Sequence, residues 1–112
     1  MASRSRISRG RATQRLVAEW FQAHGWPFAT SRGASEPGTD LLHTEPLAIE
    51  VKATSAGDLR AALRQAQKNA GKELIPIVIW RPNGVGEAHI GEWVVAMYLQ
   101  DADVLFTALR GY

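Results

Sequence analysis

The sequence contains no cysteine, no apolar run long enough to span a bilayer and no acidic residue among its first 18 positions. Without cysteine there can be no disulfide, no zinc–thiolate centre and no cysteine nucleophile, so stability must come from packing. A transmembrane helix needs about 18 or more consecutive apolar residues, and the Arg-rich start lacks the apolar stretch of a signal peptide. We therefore expect a cytoplasmic protein that has no membrane contact.

The length of 112 residues allows one domain, and 46% hydrophobic with 21% charged residues is ordinary for a globular protein. The first 18 residues contain five arginines, whereas the other eight basic residues are outnumbered by eleven acidic ones. This asymmetry predicts a basic, flexible arm at 1–10 and a single domain at 11–112. Such an arm suits a polyanion, because phosphate contacts release condensed counterions; the alternative is a solvated tail.

Apolar periodicity and turn residues predict an α/β sandwich, a mixed β-sheet flanked by helices in the order α-β-β-β-α-β-β-α. Asp58 is the candidate N-cap of the second helix, and the strands at 41–42 and 47–51 are spaced like a hairpin. The predicted helices span 11–24, 58–69 and 101–109, and the predicted strands span 26–30, 41–42, 47–51, 74–80 and 93–99.

Asp40, Glu50 and Lys52 form the candidate catalytic set. Side chains alternate along a strand, so Glu50 and Lys52 point to the same side of the strand that ends near Val51. Two charges on the covered face of an apolar strand cost free energy, so their presence there favours a functional role. The simpler alternatives are a cross-strand salt bridge or a solvated edge strand.

Two carboxylates held close together repel each other unless a cation lies between them, and Mg²⁺ prefers such oxygen ligands. Asp40 and Glu50 are therefore the predicted metal ligands, and the backbone carbonyl of Val51 can reach the same ion. Lys52 would orient or help to deprotonate an attacking water, or neutralise charge in the transition state.

The segment GTDLLHTEPLAIEVKA, followed by a helix that contains Gln65, resembles the PD-(D/E)XK nuclease superfamily, with Gly38-Thr39 in place of the proline that often precedes the aspartate. Together with RGRATQRLVAEWFQAHGW, the layout is similar to the small Holliday-junction resolvases of archaea and phages. The resemblance implies a restriction-endonuclease-like fold, a homodimer, Mg²⁺ or Mn²⁺ dependence and endonucleolytic cleavage of branched DNA such as a four-way junction. For a phage protein the compartment would be the host cytoplasm.

The resemblance also assigns supporting residues. Gln65 would position the helix or a phosphate. Gln14 lies where the archaeal enzymes carry a catalytic glutamate, so it would act weakly in the outer coordination shell of the metal. The family uses a loop serine before the aspartate, for which Ser31 and Ser35 are both candidates.

Basic side chains on the predicted helices and loops are the candidate DNA contacts. Arg9, Arg11 and Arg32 are expected to meet the DNA backbone. Lys68 belongs to a basic stripe that also suits an ordinary solvated helix face, and Arg81 lies beside a tryptophan that could stack on a base.

Two other functions fit the same sequence. The chain could be a non-catalytic DNA-binding module of the same fold, as the neutral Gln14 suggests. It could also be a nuclease that acts on ends, flaps or single strands.

Overall fold

A computed structural model describes residues 2–33, 37–53 and 58–111, with side chains from Arg9 onward. A short 3₁₀ segment, Glu87–Glu92, precedes the last strand. The helices and strands are α1 (Ala2–Ala23), β1 (Thr30–Ser31), β2 (Leu41–Leu42), β3 (Leu47–Lys52), α2 (Leu59–Ala70), β4 (Ile75–Trp80), β5 (Val94–Ala96) and α3 (Leu99–Arg110).

The described strands form two sheets. In the larger sheet the order is β3-β4-β5, with β3 and β4 parallel and β4 and β5 antiparallel. In the smaller sheet β1 pairs with β2 in antiparallel fashion. The predicted α/β class, the mixed sheet and the order of elements are therefore confirmed.

One face of the larger sheet packs against α1. The odd-numbered side chains Ile49, Ile77 and Ile79 join Val17 and Phe21 of α1 in the buried core. These helix residues are four apart, so they lie on one side of α1, and alternation along β3 and β4 brings the isoleucines to one face. The hydrophobic effect thus fixes which face of β3 receives α1.

The opposite face carries the even-numbered residues of β3 and β4 and is covered by α2, which buries Leu63, Ala66 and Ala70. The helix ends before Gly71, whose positive φ of 61° suits glycine. Asp58 occupies the N-cap position as predicted, but its side chain makes no capping hydrogen bond. Because α2 covers the even-numbered face, it lies on the same side of the sheet as Glu50.

The structure corrects several local predictions. Helix α1 begins at Ala2 instead of Arg11, since no proline interrupts the segment and helix formation continues through it. The division into arm and domain at residue 10 stays a prediction. Trp20 has helical spacing with the buried Val17 and Phe21, yet it is 36% exposed and stacks on His24 with ring centroids 3.8 Å apart.

The predicted hairpin between β2 and β3 is wrong, because β2 forms its ladder with β1. The connection satisfies its own polar groups: the Leu47 N–H donates to the Thr44 carbonyl at 2.8 Å, and the Thr44 hydroxyl donates to the Leu47 carbonyl at 3.0 Å. Pro46 has no N–H to offer a ladder. Asp40, which precedes β2, instead donates a backbone hydrogen bond to Ile49 of β3.

Within the described residues, no helix combines the length and the apolar character that crossing a membrane requires.

Replacing Ile49 with alanine is expected to lower the free energy of unfolding by about 2–5 kcal/mol, because the change leaves a cavity beneath α1. Ile49 is completely buried, whereas Phe28 is 79% exposed. Urea denaturation at one fixed protein concentration measures the free energy of unfolding of the variants at these two positions. The control Phe28→Ala should change stability by no more than about 0.5 kcal/mol; equal losses in the two variants would contradict this packing scheme.

Candidate functional site

Backbone hydrogen bonds on two sides hold Asp40 between the sheets. Its N–H donates to the Ile49 carbonyl of β3 at 3.0 Å, and its carbonyl accepts the Arg32 N–H at 2.8 Å, one residue beyond the β1–β2 ladder. Asp40 is consequently the residue through which the small sheet is attached to β3.

The Asp40 side chain turns towards β3 as well. Its Oδ2 accepts the Val51 N–H at 2.7 Å, and its carboxyl group lies close enough to that of Glu50 for each to influence the pKa of the other. The carbonyl of Lys52 instead accepts the Arg81 N–H from the β4 side at 2.8 Å. In a strand, the N–H and C=O groups of one residue point to the same edge, and those of the next residue point to the opposite edge. Because the Val51 N–H points to Asp40, the Val51 carbonyl points to that side as well.

Glu50 is fixed from the helix side by α2. The Asn69 side-chain amide donates to Glu50 Oε1 at 2.9 Å, and the Gln65 amide lies 3.5 Å from Asn69 Oδ1. Asn69 is half-buried, whereas Gln65 is exposed. Asn69 therefore makes the direct contact, and Gln65 reaches the acid through it.

Burial raises the pKa of both acids, and the charge of Asp40 raises that of Glu50 further. Desolvation by burial raises the pKa of Asp40, although the Val51 N–H lowers it. Desolvation, followed by the charge of Asp40, raises the pKa of Glu50 from its ordinary value of 4.5 to about 7, and the Asn69 amide opposes this rise. A pair of this kind favours one shared proton or an added cation over two bare charges.

Arg32 is the basic residue that acts on both carboxyl groups, and its positive charge lowers the pKa of each. Its Nε donates to the Thr39 carbonyl at 2.6 Å, and its guanidinium group lies against Gly38. A Cβ added at Gly38 would come 3.0 Å from Arg32 Cζ, and Gly38 has a φ of +112°. Glycine is needed there for its left-handed backbone and for the space it leaves.

Lys52 lies at the end of β3, two residues after Glu50, and its side chain is half-buried. Among the described residues, no carboxylate pairs with its ammonium group and no side chain hydrogen-bonds to it. The cross-strand salt bridge considered for these two residues is therefore absent among the described residues. Glu50 instead accepts a hydrogen bond from Asn69 and interacts with Asp40.

The other polar residues predicted for the site are Gln14, Ser31 and Ser35. Gln14 is half-buried on α1, and no described hydrogen bond joins it to either carboxyl group. Ser31 is half-buried in β1, opposite Leu41. Ser35 falls outside the described residues.

The residues predicted to contact DNA differ in their exposure and in the contacts that they already make within the chain. Arg9, Arg11 and Lys68 are exposed. Arg81 donates to the Thr13 hydroxyl at 3.0 Å, and its Cζ lies 5.1 Å from the ring centroid of the buried Trp93. Arg81 thus ties α1 to the segment after β4, while a contact between Arg81 and DNA stays a prediction.

The donor set suits a hard cation with an open coordination sphere. Asp40, Glu50 and the Val51 carbonyl offer oxygen atoms at one edge of β3. Among the residues described, no cluster of three or more His, Cys, Asp or Glu side chains could hold a metal. Mg²⁺ is commonly bound by one or two carboxylates while it retains several waters, so two acids and one carbonyl fit it.

Comparison with known proteins yields no significant match to a family model, a curated protein or a solved structure. The function must therefore be argued from the residues and their geometry.

Sequence reasoning placed Gln65 at the site but gave no role to Asn69, which is the residue that contacts Glu50. The available signal was the position of both amides one turn apart at the margin of the packed face of α2. The rotation of α2 on the sheet decides which of them reaches Glu50.

Substituting Glu50 with glutamine is expected to weaken the pH dependence of stability in metal-free solution. The folded-state pKa of about 7 exceeds the ordinary value of 4.5, so Glu50 contributes stability that is fully present below 4.5 and is lost as pH rises through about 7. Between about pH 5 and pH 8, urea unfolding in EDTA should show a steeper loss for the unchanged protein than for Glu50→Gln.

The matched control is Glu19→Gln, which neutralises an exposed acid of α1. This variant should keep the pH dependence of the unchanged protein. Identical profiles for the Glu50 and Glu19 variants would argue against a raised pKa at Glu50.

Replacing Asn69 with alanine is expected to raise the pKa of Glu50 further, because the lost amide donor stabilises the charged carboxylate. NMR titration of the Glu50 side-chain carboxyl carbon measures this shift directly. Gln65→Ala serves as the control and should leave that titration almost unchanged. A larger shift in the Gln65 variant would indicate that Gln65, and not Asn69, makes the main contact with Glu50.

Proposed function

We propose that this chain is a divalent-metal-dependent endodeoxyribonuclease of the PD-(D/E)XK type, with a restriction-endonuclease-like fold, that acts on branched DNA such as a four-way junction. The observation that carries the proposal is the proximity of the carboxyl groups of Asp40 and Glu50, with the Val51 carbonyl pointing to the Asp40 side of β3. Arg32 offsets the cost of burying the two acids only in part, since the pKa of both remains raised.

Asp40, Glu50 and the Val51 carbonyl would hold Mg²⁺ or Mn²⁺. When bound, the ion supplies charge stabilisation for a phosphodiester and activates the attacking water. The hydrogen bond from Asn69 orients Glu50, and the Val51 N–H orients Asp40. Both acids are therefore positioned by the fold before any ion arrives, which is the preorganisation that catalysis requires.

Lys52 is the residue proposed to act on the substrate. Alternation along β3 directs it to the same side as Glu50, and among described residues it has no acidic partner. Its ammonium group is thus available to orient the attacking water or to neutralise charge that develops on the phosphate. A lysine held near two acids without pairing to them suits a catalytic role better than a structural one.

The resemblance implied that Gln65 positions the helix or a phosphate; its contact with Asn69 supports a role at the site through that residue. Gln14 would act at most in the outer shell of the metal. Arg9, Arg11 and Lys68 are exposed and suit the DNA backbone. Resolution of a junction needs two matched cuts, so the proposed enzyme is a symmetric homodimer with two such sites.

Asp40→Asn and Lys52→Ala are each expected to lower the cleavage rate at least ~100-fold, because each removes a charge on which the transition state depends. The assay uses labelled four-way junction, duplex, flap and single-stranded DNA with Mg²⁺, Mn²⁺ or EDTA. We expect symmetric nicks near the branch point, in either metal but not in EDTA. The control Glu19→Gln should cleave at the rate of the unchanged protein.

Other outcomes assign other functions. Tight DNA binding without cleavage in either metal would indicate a non-catalytic DNA-binding module and would overturn the proposal. Cleavage of ends, flaps or single strands alone would retain the nuclease and discard the junction substrate. Binding measured in EDTA separates the two effects, since Asp40→Asn should retain the affinity of the unchanged protein for DNA.

A further inference from the structure

A cavity lies between the solvent side of α2 and the start of α3. Its volume of about 440 Å³ falls within the usual range of ligand-binding pockets. The residues that line it are Arg60, Arg64, Gln67, Tyr98, Leu99 and Gln100. Two of the six are arginines and none is acidic, so the lining suits a negatively charged ligand.

Helix α2, which provides both arginines, carries charge of one sign only. Its charged residues are Arg60, Arg64 and Lys68, and it contains no acid. All three are exposed, and none forms a salt bridge with a described residue. Like charges four residues apart destabilise a helix slightly, whereas a face that serves only solubility usually mixes both signs. The uncompensated charge of α2 therefore favours an external polyanion over a purely solvating role.

The neutral polar side chains of the cavity can contribute further hydrogen bonds. Gln67, Tyr98 and Gln100 make no side-chain hydrogen bond within the part of the chain that the structure describes. Amide and phenolic groups are among the donors that proteins use to contact phosphate oxygens. Together with the two guanidinium groups, the cavity thus presents five donor side chains to one space.

The basic residues of α2 form a slanted row that starts in this cavity. Arg60, Arg64 and Lys68, here called the basic row, follow at steps of four residues, and each step advances about 6 Å and turns about 40°. The row ends at Lys68, directly before Asn69, which contacts Glu50. A row about 12 Å long matches several phosphates of one strand better than a single small anion, because a duplex strand carries a phosphate about every 3.4 Å of its axis.

We propose that the cavity and the basic row bind the phosphate backbone of one DNA strand. The choice of DNA rests on the proposed function, whereas the charge and the geometry of the row do not depend on the acid pair. Because the row ends beside Asn69, a strand bound along it passes near Glu50. Arg60 and Arg64 would therefore hold the substrate at a distance from the metal and add affinity without taking part in the chemistry.

A lipid surface fits α2 less well. A helix that lies on an anionic membrane inserts an apolar face between the lipids. The apolar face of α2 consists of Leu63, Ala66 and Ala70, and it is buried against the sheet. Only the polar side of the helix is available to a partner, as contact with a DNA backbone requires.

The test is the salt dependence of DNA binding for Arg60→Gln and Arg64→Gln. Fluorescence anisotropy with labelled duplex and four-way junction, in EDTA, gives the binding constant at several salt concentrations. Each phosphate contact that is lost should lower the slope of log K against log salt by about 0.9 and weaken binding about tenfold in 0.1 M salt. We expect this loss for each variant and on both DNAs.

The matched control is Arg110→Gln, which removes the same charge from an exposed arginine at the opposite end of α3. This variant should keep the slope of the unchanged protein. Arg64→Lys, which retains the positive charge, should keep it as well. Glutamine has nearly the helix propensity of arginine, and circular dichroism checks that each variant is folded.

An NMR titration of the unchanged protein covers the case in which a glutamine variant fails to fold. The guanidinium Nε–H signals of Arg60 and Arg64 should shift when duplex DNA is added, and that of Arg110 should not. Inorganic phosphate at the same concentration of phosphate groups should produce much smaller shifts.

Four results would overturn the inference. They are a folded Arg60 or Arg64 variant with the slope of the unchanged protein, an equal loss of slope in Arg110→Gln, equal shifts with inorganic phosphate and with DNA, and arginine variants that lose binding to phosphatidylserine vesicles but not to DNA. Because binding is measured in EDTA, these results do not depend on cleavage. A protein that binds DNA through the basic row but cuts nothing would contradict the proposed function alone.

Discussion

The attachment of Asp40 to β3 is the interaction on which the site depends. Two hydrogen bonds make it, from the Asp40 N–H to the Ile49 carbonyl and from the Val51 N–H to the Asp40 carboxylate. Together they fix the small sheet against the large one and bring one acid beside Glu50. The absence of a Cβ at Gly38 leaves room for Arg32, whose charge lowers the pKa of both acids.

The paired acids are unfavourable for the stability of the fold but suitable for a chemical function. Burial raises the pKa of both acids, the charge of Asp40 adds to the rise at Glu50, and neither Arg32 nor Asn69 fully offsets these effects. A fold selected for stability alone would place an apolar pair or a salt bridge there. Perturbed acids grouped at one strand end are the pattern that functional sites produce, and an oxygen-seeking cation is the partner that would relieve the repulsion.

The two faces of the large sheet are completed in different ways. On the face that bears Glu50, α2 closes the core with small residues such as Ala66 and Ala70, which let the helix approach the strands closely. On the other face α1 covers part of the isoleucine layer, while α3 stands away from it and leaves a cavity. A chain of this length buries a limited share of its surface, and part of the isoleucine layer borders the cavity.

Sequence by itself determined the order of elements and the placement of Glu50 and Lys52 on one side of β3, because periods of two and 3.6 residues are local properties. It also singled out Asp40 as the acid near them. Only the tertiary structure decided that β2 pairs with β1 and not with β3, that Asp40 bonds directly to β3, and that Asn69, 19 residues from Glu50, contacts it directly. Those contacts depend on how α2 is rotated and where the sheets meet, which long-range packing sets and local spacing does not encode.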